Sequence, residues 1–131
     1  MNTLKLSCLA QAVAVCAGAM LFCGNAAAAQ GDKAVYDQAK TSAKATYDTD
    51  KKACDGMSGN AKDICVAEAK AKRVKTEENA EAAYENTPKA REHAIHEAAE
   101  ADYKVATEKC GALAGDPKSA CMADAKARFE K

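Results

Sequence analysis

His93-x-x-His96 is the constellation in this 131-residue chain whose residue types suggest metal chemistry. On a helix, residues three apart share a face, so the two imidazoles would be neighbours, with Glu92, Glu97 and Glu100 close by. Imidazole and carboxylate together suit a first-row transition metal. Two histidines alone make a weak site, and no third ligand is placed by the sequence. A solvated polar face is the competing reading. A second set is stronger in pattern. Cys54, Cys65, Cys110 and Cys121 form Cys-x10-Cys twice. Zinc knuckles use much shorter Cys-x-x-Cys-like spacings, and redox catalysis prefers Cys-x-x-Cys beside a βαβ unit. Neither fits, which leaves disulfides. No Ser/His/Asp or Cys/His arrangement is indicated. Acid pairs such as Glu77-Glu78 lie in a charge-dense segment that should face water. The expectation is a protein that is not an enzyme and needs no cofactor.

The two cysteine pairs belong to an internal duplication. Ala45–Lys75 lies over Ala101–Lys131, matching Tyr47 with Tyr103, Gly59 with Gly115, Lys62 with Lys118, and Ala67-x-Ala69-Lys70-Ala71 with Ala123-x-Ala125-Lys126-Ala127. Four cysteines allow three pairings, and sequence alone does not select one. Each copy carries its own pair, so Cys54–Cys65 and Cys110–Cys121 is the economical pairing. Each bond would close a loop worth about 3 kcal/mol in the chain-entropy account.

The compartment follows from the start of the chain. Residues 1–29 carry Lys5, an apolar stretch from Leu6 to Cys23, no acid, and a small-residue end at Ala27-Ala28-Ala29. That is the pattern of a cleaved secretory signal peptide. Its loss would remove Cys8, Cys16 and Cys23 and leave four cysteines in an oxidising compartment. A retained anchor is the competing reading, but the apolar run is short of the roughly 20 residues that span a bilayer. No stable membrane insertion is expected after cleavage. Formal charge is balanced, with 19 basic and 19 acidic residues. Such a chain has no basic field for a phosphate backbone, so nucleic acid is not an expected partner.

These side chains must be positioned by helices. Ala, Lys, Glu, Gln and Arg dominate, and the breakers are few and clustered. The first helix is expected from Asp32 to Cys54, with a seam of Tyr36, Ala39, Ala43, Tyr47 and Cys54 interrupted by Asp50. It should stop at Asp55-Gly56-Met57-Ser58-Gly59, with Gly56 in the left-handed position and Asn60 capping the next helix. That helix should run from Ala61 to Glu85. Thr87 as cap and Pro88 in the first turn open a third, with Ile95, Ala99, Tyr103, Ala106 and Cys110 as its seam. Asp116-Pro117 repeats the signal and opens a fourth, ending at Phe129. Acid-to-base pairs at Glu68–Lys72 and Asp124–Arg128 should support both second helices. The expected fold is all-α: two tandem antiparallel helical hairpins, residues 30–86 and 87–131, each stapled by a disulfide. Alanine seams bring helices close but bury little area, so slim hairpins are expected rather than a thick globule.

With these residues in place, a resemblance can be stated. Tyr47–Cys54, Gly59–Cys65, Ala67–Ala71 and Ala101–Ala106 resemble small exported proteobacterial proteins labelled "cell envelope biogenesis protein TolA"-like. TolA itself has a membrane anchor, a long Ala/Lys/Glu helical stalk and a globular end, and only the stalk composition is shared. The resemblance implies a periplasmic, envelope-associated structural or interaction protein with a protein partner in the envelope. Self-association is left open. A small periplasmic stress chaperone (holdase) is the alternative expectation, and metal binding through His93 and His96 a third.

Overall fold

The computed structural model describes residues 30–129. The signal-peptide reading of residues 1–29 lies outside them, as do residues 130 and 131. The described chain is all-α: α1 (Lys33–Ala53), a single 3₁₀ turn (Cys54–Gly56), α2 (Gly59–Glu85), α3 (Pro88–Gly111) and α4 (Gly115–Phe129). No strand occurs among the described residues. No described helix is long and apolar enough to cross a membrane.

The helix ends follow local chemistry. Asp32 accepts from Ala34 N–H at 2.7 Å and opens α1. Thr87 Oγ1 accepts from Ala90 N–H at 3.0 Å, and Pro88 fills the first turn of α3, as expected. Asn86 closes α2 in the left-handed region at φ 51°. The two stapled turns depart from expectation in two respects. The left-handed glycines are Gly59 (φ 55°) and Gly115 (φ 62°), which are copy-matched, and Gly56 is not among them. Ser58, not Asn60, occupies the position before α2. The reversal is placed where the next helix begins, so a glycine there spares the steric cost that any L side chain would meet.

Cys54 joins Cys65 and Cys110 joins Cys121, with Cα–Cα distances of 5.8 and 5.6 Å. Both lie well inside the bridgeable range. Each bond ties the last turn of one helix to the second turn of the next.

The four helices lie side by side in a single layer. Each packs only on its chain neighbours: α1 on α2, α2 on α3, α3 on α4. Helix geometry explains this. In α2, Ala69 faces α1 and Ala71 faces α3; two residues at 3.6 per turn are about 200° apart, so the partners sit on opposite sides. In α3, Ala90, Ala94 and Ala101 face α2, and Cys110 is about half a turn round from Ala101, facing α4. Buried side chains are correspondingly small. They are Ala43, Cys54, Ala69, Ala71, Ala82, Ala90, Ala94, Ala101, Cys110 and Ala125, with no polar group among them. The seam expected for α3 is only part of its packing. Ile95, placed in that seam, is 71% exposed, because the side chains that α3 buries are Ala90, Ala94 and Ala101 toward α2 and Cys110 toward α4.

Cross-helix polar contacts align the layer. Tyr36 stacks on Tyr84 with ring centroids 5.1 Å apart. Lys72 reaches Asp50 at 2.9 Å, Lys75 reaches Asp102 at 2.7 Å, and Lys109 reaches Glu68 at 2.7 Å. Two of these correct an expectation. Glu68 and Lys72 do not pair with each other; α2 has neighbours on both sides, and each finds its partner across a helix boundary. Asp124–Arg128 keeps its i,i+4 pairing at 4.0 Å, since only α3 flanks α4.

Candidate functional site

A single layer has two broad faces, and a depression follows the α2–α3 seam on each, of about 400 Å³ on one and about 440 Å³ on the other. On one face the small residues Ala67, Ala71 and Ala101, with Val66 and Val74, form an apolar floor. Lys62, Asp63 and Lys70 of α2 and Glu97, Glu100, Lys104 and Glu108 of α3 rise as a charged rim of mixed sign. The groove encloses about 400 Å³ and is open to solvent along its length. Its origin is compositional. Alanine at the helix contacts leaves the valine side chains half-exposed beside the seam, with no third helix to cover them.

Electrostatics on this rim are local. Lys104 Nζ lies 2.6 Å from Glu100 Oε1, and that hydrogen bond and charge hold the Glu100 carboxyl below its usual range. Along the α1–α2 seam, Glu77 accepts from Arg73 at 2.8 Å and raises the guanidinium's basicity, while Arg73 lies 5.5 Å from the Tyr47 ring centre. Lys40 and Lys33 are raised likewise, chiefly by hydrogen bonds to Tyr36 and Asp37. Tyr36 and Tyr47 therefore work as packing and cation-binding surfaces of the α1–α2 seam.

The four cysteines expected to pair do so, and as disulfides they are structural. His93 and His96 sit on exposed turns of α3 and take different neighbours. His93 Nε2 is 3.8 Å from Glu78 of α2, and its Nδ1 is 3.9 Å from Glu97. His96 Nδ1 is 3.6 Å from Glu97. The donors that come together are His96, Glu97 and Glu100, whose ligand atoms all lie within 4.8 Å of one another. Two of these were only neighbours of the motif in the sequence; the i,i+4 spacing of His96 and Glu100 was the signal that could have picked them out.

Asn60 holds a role that the sequence did not suggest. Its Nδ2 donates to the Glu108 carbonyl at 2.9 Å, satisfying an acceptor near the end of α3. The first stapled turn is thereby tied to the second.

No protein-family model matches this chain, and no curated protein or solved structure matches it either.

Proposed function

We propose that this protein is a non-enzymatic interaction module of the bacterial periplasm, exported through a cleaved leader and working by docking an envelope protein on its α2–α3 groove. The observation that carries this reading is the groove itself: an apolar floor of Val66, Ala67 and Val74 with a rim of both charge signs, open along its length. Apolar floor and polar rim are the anatomy of a protein–protein contact. Two disulfides in so slight a structure support an oxidising compartment, and the TolA-like residues support the envelope. The described ionisable groups with displaced pKa values are exposed or half-exposed members of surface pairs, the pattern of a charged surface more than of poised acid–base chemistry.

In-cell photo-crosslinking tests the reading. A photoreactive residue at Val66 or Val74 should give a discrete adduct, and one at Thr41 or Ala45 on the outer side of α1 should not. Adducts of equal yield from both sides, or none from the groove, would overturn it. A holdase is the second reading, favoured by the isolated apolar side chains Val35, Met57, Ile95 and Leu113 left on the surface. It requires suppression of client aggregation at equimolar protein; absence of that effect on a panel of periplasmic clients excludes it.

A further inference from the structure

We propose that His96, Glu97 and Glu100 form an exchangeable site for a divalent transition metal of the zinc type, at the acidic end of the layer. Two observations carry the proposal. The first is geometric. The three donor atoms lie within 4.8 Å of one another on consecutive turns of one rigid helix. Zinc at its usual ligand distances of about 2.0–2.2 Å brings donors to about 3.3–3.5 Å from one another. His96 and Glu100 are exposed, so a small rotamer change closes the gap. Lys104 Nζ holds Glu100 Oε1 at 2.6 Å, so a metal takes the other carboxylate oxygen or displaces the lysine. Water would complete the coordination sphere.

The second observation is charge segregation. The chain is neutral overall, yet between Thr76 and Tyr103 it carries eight acidic residues and two basic ones, Lys89 and Arg91. Both histidines of the protein fall inside this stretch. The turn joining α2 and α3 folds the stretch back on itself and brings Glu78 of α2 to 3.8 Å from His93, one turn from the cluster. Lys75 and Lys104 lie just outside the stretch, and Lys104 is the cation that touches the cluster.

The site differs from the simple His93–His96 pair suggested by spacing. His93 stands between Glu78 of α2 at 3.8 Å and Glu97 at 3.9 Å, and His96 is the imidazole whose ligand atom lies within 4.8 Å of those of both Glu97 and Glu100. The two arrangements are separable. Zinc chloride is titrated calorimetrically into the exported, fully oxidised protein, so that no thiol competes. The parent should bind one equivalent with micromolar affinity. H96A and E100Q should each weaken binding by at least about tenfold, and H93A by no more than about twofold. In parallel, histidine ring NMR signals should move on zinc addition for His96 and stay for His93. No saturable binding, H96A behaving as the parent, or H93A weakening binding as much as H96A would overturn the assignment. All three positions are exposed or half-exposed, so the variants retain the fold.

Discussion

Single residues set the ends of these helices and the links between them, and three carry disproportionate weight. Asn60 donates across to the Glu108 carbonyl, so Asn60→Ala leaves that acceptor without its side-chain partner and should cost about 1 kcal/mol in chemical denaturation. Gly59 and Gly115 hold φ values of 55° and 62°. Alanine at either should destabilise by about 1 kcal/mol through backbone strain, and the same substitution at Gly56, where a side chain meets nothing within 4 Å, should do far less. Glu100 offers a check on electrostatics. Its carboxyl titrates below the ordinary 4.5 because Lys104 binds the ionised form. Lys104→Ala should return it to that value, read from the carboxyl carbon shift. The sign is that of a depressed acid: the pairing helps at pH above about 4.5 and fades as pH falls through the lowered value.

Residue-level reading of the sequence succeeded where the chemistry was local. Thr87-Pro88 needs only its own turn, and cysteine spacing inside each copy needs only a tight hairpin. It failed where the partner was distant. Asn60 reads as an N-cap because that role suits its type, and nothing in the sequence tells it that Glu108 will lie alongside. Glu68 and Lys72 read as an i,i+4 pair for the same reason. The helix faces were fixed by period, but which neighbour would claim them was not.

Among the elements, α4 is the most weakly held. It is the shortest helix and contacts only α3, whereas α2 is flanked on both sides. Its single buried side chain is Ala125. The Cys110–Cys121 bond should therefore matter more to α4 than Cys54–Cys65 matters to α2, although both close equal loops worth about 3 kcal/mol in principle. With Cys110 and Cys121 both changed to serine, hydrogen exchange should show α4 losing protection while α1–α3 keep theirs. Serines at 54 and 65 should instead lower global stability without freeing α2 selectively. Loss of protection spread evenly over all four helices in the first variant would contradict this ranking.

The whole molecule is a layer because alanine seams were placed on opposite sides of α2 and α3. Composition and period in the sequence announced helices and hairpins. The side-by-side order is less legible, since a helix with two alanine faces could equally sit inside a bundle. What excludes the bundle is that each helix packs only on its chain neighbours, α1 touching neither α3 nor α4, and that the remaining faces are charged. The groove proposed to dock a partner exists only in the layer; closing α4 onto α1 would bury one broad face and remove it. The α1–α4 separation is thus the most direct test. Spin labels at Thr49 and Ala127, both exposed and about equally far along their helices from the stapled turns, would report it. With neighbouring axes about 8–10 Å apart, three steps across the layer place the two helices about 24–30 Å apart. A pulsed-EPR distance distribution centred in that range is the expected result, and one centred near a single interhelical spacing would contradict the layer and the groove with it.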